Sequence, residues 1–288
     1  GDPYVPAWAA VSAGRRLGVP VVGFYHSDLP ALAASRLGSW TEPFVRTYIR
    51  RLYSQCDLVL APSRTVAAQL LQMGLEQVEH QHLGVDLERF HPAHADPTLR
   101  RRLGIPAAAR LLVFAGRGSR EKHLPVLLDA MRLLGRGYHL LLVGVGPQPH
   151  LPDNVTVIES FQPVDRLAAI MAACDALLHG GDQETFGLVV VEAMACGLPV
   201  VGINAGAVAE LVPASCGELA PSCSPGALAQ AVRQLFRRDV VALGQRARAH
   251  AEMHFSWDTV VAQLVSRYRR LCERPWPAMA EQETYGGI

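Results

Sequence analysis

Short apolar runs recur along the chain, separated by longer amphipathic stretches, and this alternation restricts the fold more than any other feature of the sequence. The runs are Val19-Tyr25, Asp57-Ala61, Arg110-Gly116, Tyr138-Gly144, Val155-Ile158, Ala176-His179 and Pro199-Ile203. Helical spacing fills the intervals, as in Leu124-Leu134 and Arg166-Ala173. A strand covered on both faces is apolar at successive positions. Such strands alternating with helices predict α/β architecture: doubly wound parallel sheets with helices on both faces.

The rhythm breaks between Gly84 and Ala109, where Pro92, Pro97 and Pro106 stand among charged and small residues. A domain boundary is expected there. The expected organisation is a Rossmann-like domain over residues 1–95, a second over 96–255, and a returning C-terminal helix with a tail over 256–288. Helical patterns are expected at Gly226-Phe236, Val240-His254 and Trp257-Cys272, and a loose tail after Arg274. The chain opens on Gly1-Asp2-Pro3 and runs at once into a helix-like stretch and a strand, so the first domain is expected to be incomplete.

Composition excludes several classes. The 288 residues are 50% hydrophobic and 18% charged, with a formal net charge of +1, which gives no basic excess for tracking nucleic acid. No apolar run is long enough to span a bilayer, and no signal-peptide pattern stands at the start. The cysteines at 56, 174, 196, 216, 223 and 272 form no CxxC pair and read as reduced, buried thiols of a cytoplasmic protein.

The most informative segment is Gly180-Glu210, GGDQETFGLVVVEAMACGLPVVGINAGAVAE. Gly180 and Gly181 follow the strand ending at His179, and a helix is expected to begin near Phe186 or Gly187. Parallel sheets bind ligands at the carboxyl ends of their strands. The open amides of a helix start, here Phe186-Gly187-Leu188, favour phosphate, and Gly187 permits close approach. Glu184 precedes that start. Glu192 lies one and a half turns inside and leans back toward it. Carboxylates would repel phosphate, so they are expected to accept hydrogen bonds from hydroxyls. A diphosphate between two polyhydroxy groups, a nucleotide sugar, fits this layout.

Glu184, seven residues, then Glu192, with Phe-Gly-Leu between and Glu-Ala-Met-Ala-Cys-Gly-Leu-Pro-Val-Val following, resembles the signature of the retaining family 4 glycosyltransferases of GT-B fold. The resemblance implies two facing Rossmann-like domains. It implies that Glu184 contacts the transferred sugar and Glu192 the ribose. Gly116-Arg117, with Glu121-Lys122 after it, resembles the family's Gly-Arg…Glu-Lys-Gly element, in which Arg and Lys neutralise the donor diphosphate. His123 is a departure, since the family usually has Gly there. Asn204-Glu210 resembles the small-residue loop walling the donor pocket. Phe24-Tyr25-His26-Ser27-Asp28 resembles a segment that puts a His, here His26, near the transferred sugar.

A Gly116-x-Gly118 reading as a dinucleotide fold fails: the third Gly is missing, and the next strand ends in Gly rather than an acid. The family resemblance implies retaining transfer of a hexosyl group, mannosyl from GDP-mannose preferred, to a lipid or glycan hydroxyl. It also implies no cofactor and no metal. A GT-B-like epimerase and a non-catalytic nucleotide-sugar-binding fragment are the alternatives. In Phe44-Tyr53, Val45, Tyr48, Ile49 and Leu52 make an apolar stripe flanked by Arg46, Arg50 and Arg51. It either packs on its own sheet or meets an anionic membrane, with the enzyme peripheral on the inner face.

Overall fold

The computed structural model describes residues 4–273, which form two compact units: residues 4–81 with 261–273, and residues 82–260. The expected tail after Arg274 lies outside the described residues. In the first unit, β1 (Val22–Phe24), β2 (Leu58–Ala61) and β3 (Val78–His80) form a parallel sheet in the order β1-β2-β3. Its helices are α1 (Val5–Leu17), α2 (Leu29–Leu37), α3 (Glu42–Tyr53) and α4 (Arg64–Gln72).

The middle strand, β2, is buried at every position because both its faces are covered. Val59 and Ala61 pack with Ile49, Leu52, Val66 and Leu70, whereas Leu58 and Leu60 pack against Leu271. Only part of the stripe on α3 faces inward: Ile49 is 0% and Leu52 2% exposed, whereas Val45 is half-buried and Tyr48 exposed. That settles the choice left by the sequence for these two residues, since burying each stabilises the unit by about 1.5–3 kcal/mol. Arg267 adds polar ties within the unit, donating to Glu79 Oε2 (2.8 Å) and the His80 carbonyl (2.8 Å).

The second unit contains β4 (Arg110–Ala115), β5 (Tyr138–Val143), β6 (Val155–Ile158), β7 (Ala176–Leu178), β8 (Val200–Ile203) and β9 (Gly217–Ala220). They form one six-stranded parallel sheet in the order β6-β5-β4-β7-β8-β9. The helices are α5 (Leu99–Arg102), α6 (Leu124–Leu134), α7 (Val164–Ala172), α8 (Leu188–Ala195), α9 (Gly206–Leu211), α10 (Pro225–Leu235) and α11 (Val240–Phe255). The last helix, α12 (Trp257–Cys272), begins in this unit and continues into the first.

Strand β4 shows why the run at 110–116 reads as fully apolar. Leu111, Val113 and Ala115 enter a core with α7 and α8, while Leu112 and Phe114 enter another with α6 and α10. The boundary expected between residues 95 and 96 falls inside this unit, because Phe90, Leu99 and Ile105 are buried in its core. The proline-bearing stretch is a packed surface strap: Arg100 donates to Asp175 Oδ2 and to the Ala109 carbonyl, each at 2.8 Å. No helix among the described residues is long and apolar enough to cross a membrane. The six cysteines are free; Cys272 is exposed and Cys223 half-buried, so only four are buried as expected.

Candidate functional site

The second unit changes direction at its first strand. From β4 the chain builds β5 and β6 on one side, then returns to place β7 on the other. The segments leaving the carboxyl ends of β4 and β7 therefore diverge from adjacent strands. A parallel sheet leaves a crevice at such a switch point. The predicted Gly116, Arg117 and Lys122 follow β4, and Glu184, Phe186, Gly187 and Leu188 follow β7.

Three side chains meet across that switch. His179 directly follows β7 and is 1% exposed; its amide donates to the Val201 carbonyl at 2.8 Å, which fixes its backbone to β8. Its Nε2 lies 2.9 Å from Glu184 Oε1, and the same oxygen accepts from the Lys122 ammonium. Phe114 stacks on the imidazole, with centroids 6.4 Å apart and planes 12° from parallel. Burial by itself raises the Glu184 carboxyl. The His179 hydrogen bond, the charge on His179 and Lys122 outweigh it, and the group is held down at about 2. Glu184 is thus an ionised acceptor in a largely dry setting.

Gly181 makes this arrangement fit. A Cβ there would stand 2.7 Å from His179 Nε2 and 2.9 Å from Glu184 Oε1, closer than atoms pack. The imidazole Nδ1 of His179 is buried with no hydrogen-bond partner among the described residues.

Helix α8 starts with open backbone amides. Gly187 precedes it with a left-handed backbone, φ +91°, and no side chain caps the helix. The first bonds back to Gly187 come from Val190 and Val191, so the Leu188 and Val189 amides precede the intrahelical ladder. Phe186 differs from expectation in its side chain: the ring is 2% exposed and packs with His82 and Phe255. Only its backbone remains to meet a ligand. Leu188 is 44% exposed. Glu192 is half-buried on α8, and burial alone raises its carboxyl to about 7. No cation among the described residues offsets that.

The two predicted cations differ. Arg117 is exposed and makes no hydrogen bond or ion pair among the described residues. Lys122 is committed to Glu184. His26 belongs to the first unit, where it follows β1 and stacks on Phe24 at 4.4 Å. Sequence reasoning missed the functional placement of His179. The available signal was a polar residue ending a buried strand, immediately before two glycines.

The family described as Glycosyl transferases group 1 matches residues 109–238, and Glycosyltransferase Family 4 matches residues 2–89. A "GDP-mannose-dependent alpha-mannosyltransferase" of Mycobacterium tuberculosis (strain CDC 1551 / Oshkosh) is 32% identical over 93% of this chain and 71% of its own length. A "GDP-mannose-dependent alpha-(1-6)-phosphatidylinositol dimannoside mannosyltransferase" of Mycobacterium tuberculosis (strain ATCC 25177 / H37Ra) is 30% identical over 88% of this chain and 68% of its own. The Corynebacterium glutamicum relative, also named a GDP-mannose-dependent alpha-mannosyltransferase, is 31% identical, and the match spans 51% of it. Among solved structures, Anabaena Alr3699/HepE in complex with UDP and glucose superposes with a TM-score of 0.76 at 24% identity, covering 91% of this chain and 75% of that one.

Proposed function

The chain belongs to the group 1, or family 4, glycosyltransferases, hexosyltransferases of GT-B fold, and on that premise we propose that it moves a mannosyl group from GDP-mannose to a hydroxyl of a lipid or glycan with retention of configuration. The observation that carries the reading is the His179–Glu184–Lys122 cluster at the switch point, next to the uncapped start of α8. The donor's diphosphate lies between Arg117, Lys122 and the Leu188 and Val189 amides. Glu184 accepts from a hydroxyl of the transferred sugar, and Glu192 from the ribose.

In the reaction, the bond from the anomeric carbon to the β-phosphate oxygen breaks and the nucleoside diphosphate leaves. The acceptor oxygen bonds to the same face, and its proton passes to the leaving phosphate. Charge grows on that phosphate, so cations and amides aimed at it act mainly in the transition state. Lys122 has three donors, and can keep Glu184 while reaching a phosphate oxygen. The charge comes from protein groups, without a metal.

The assay is transfer of radiolabelled mannose from GDP-mannose into a panel of glycolipid and glycan acceptors, with the anomeric linkage read by NMR. An α-linked product supports the reading. Release of an epimerised sugar nucleotide without transfer would favour the epimerase, and binding without any product the non-catalytic alternative.

A surface feature favours a membrane-borne acceptor. Trp40 and Phe44 are each 70% exposed and meet edge to face at 6.4 Å, at the head of α3, whose Arg46, Arg50 and Arg51 are also exposed. Indole and phenyl rings beside arginines suit the interface of an anionic bilayer, and would hold the enzyme on the inner membrane face.

A further inference from the structure

The loop after β4 ends at His123, whose backbone is left-handed at φ +49°. A non-glycine residue there is held in a backbone region that glycine adopts without strain. The imidazole is held beside two other ligand types. Its Nε2 is 3.0 Å from Asp182 Oδ1, and Cys223 Sγ completes a group whose donor atoms all lie within 4.8 Å of one another. The three residues come from three separate segments, those following β4, β7 and β9. All three are half-buried, so a solvated ion can reach them.

Nitrogen, carboxylate oxygen and sulfur together are donors for a borderline-soft divalent ion. Zinc takes nitrogen at about 2.0–2.1 Å, carboxylate oxygen at about 2.0–2.2 Å and sulfur at about 2.3 Å in a tetrahedron, so its ligands stand roughly 3.3–3.8 Å apart. Side-chain shifts of about 1 Å bring these donors to that spacing. We propose that His123, Asp182 and Cys223 form a binding site for a zinc-class divalent cation, with the fourth coordination position open to solvent. Coordination replaces the Cys223 thiol proton, which passes to water. The bound ion ties the segment carrying Lys122 to the segment carrying Glu184, so occupancy immobilises both. The site does not depend on the reaction assigned above, and the ion is not required for that chemistry.

Cobalt(II) titration of metal-free protein tests it, followed by visible and near-ultraviolet absorption, with zinc competition giving the zinc affinity. The expected result is one equivalent bound, with a thiolate-to-cobalt charge-transfer band and tetrahedral d–d bands. His123→Gly, which suits the left-handed backbone and keeps the fold, and Cys223→Ser should each lose the charge-transfer band and weaken zinc binding at least about tenfold. Cys272→Ser should retain both. Absence of the band in the parent, or equal zinc affinity in the parent and in folded His123→Gly and Cys223→Ser variants, would overturn the proposal.

Discussion

The ammonium of Lys122 and the carboxylate of Glu184 meet across the switch between β4 and β7, although 62 positions separate them in the chain. With His179 Nε2 on the same carboxylate oxygen, a cation and an imidazole share one acid before any ligand is considered. The pair keeps Glu184 ionised and fixes its direction. It also keeps Lys122 folded over the crevice rather than extended into solvent.

Glu184→Gln is expected to lower kcat with little change in KM, because the charged contact to the sugar is strongest as the glycosidic bond breaks. A hydrogen bond to a charged group is worth roughly 1.5–3 kcal/mol, so the loss in rate is about tenfold to a hundredfold. Steady-state kinetics with GDP-mannose decides this. An unchanged kcat in the folded variant rules out the role given to Glu184.

The same carboxylate predicts an acid-sensitive contribution to stability. Its carboxyl is held at about 2 in the folded chain against an ordinary value of 4.5. A depressed acid stabilises fully above 4.5 and loses that contribution as pH falls toward 2. The full difference corresponds to roughly 3 kcal/mol. Urea unfolding of the parent and Glu184→Gln should therefore diverge at neutral pH and converge between about pH 4.5 and 2. Parallel stability curves across that window would mean that His179 and Lys122 do not stabilise the anion.

Glu192 behaves in the opposite sense. Burial raises its carboxyl to about 7, so the folded chain keeps a proton that the unfolded chain loses near 4.5. Folding is penalised increasingly as pH climbs through that interval, and Glu192→Gln should relieve the penalty above pH 7. Ribose hydroxyls donating to the anion would pull the proton off. Calorimetry of GDP binding at pH 7, in two buffers of different ionisation enthalpy, should show release of about half a proton per ligand. Equal heats in both buffers would separate Glu192 from the ribose. Glu192→Ala should weaken GDP binding and leave kcat nearly intact, the mark of uniform binding.

Membrane attachment, if it runs through the head of α3, depends on rings and charge together. Three arginines at an anionic surface supply only about 3 kcal/mol, so binding is reversible and falls with salt. Co-sedimentation with phosphatidylserine-containing vesicles should weaken in Trp40→Ser/Phe44→Ser, and again in Arg46/Arg50/Arg51→Glu. Both variants pelleting like the parent would mean that this surface does not contact the membrane.

Much of this was legible because strands buried on both faces announce themselves. Leu111 to Ala115 must all be apolar, and Val155–Ile158 appears with the expected ends. β3 and β9 escaped notice for the converse reason: Val-Glu-His and Gly-Glu-Leu-Ala have half-buried positions and tolerate polar residues. The stretch 84–109 reads as a linker from its prolines, yet Phe90, Leu99 and Ile105 anchor it in the core. For the site, the positions of Glu184, Gly187 and Glu192 around a helix start follow from local spacing. The union of Lys122 with Glu184, and of His123 with Asp182, does not, because each depends on β4 and β7 being neighbours. Local pattern carries no strand order, so the polar residue before two glycines marks His179 as unusual without pairing it with Lys122 through Glu184.

The property on which the proposed transfer rests is that the crevice grips a nucleotide sugar through its diphosphate. Isothermal calorimetry of GDP-mannose on the parent and on Arg117→Ala/Lys122→Ala tests it most directly. The expected result is saturable one-to-one binding by the parent and a loss of about a hundredfold in affinity in the folded double variant, since each of the two cations removed forfeits a charged hydrogen bond worth about 1.4 kcal/mol or more. Binding unaltered by the two substitutions, or no binding of GDP-mannose or any UDP-sugar by folded parent at millimolar ligand, would contradict it.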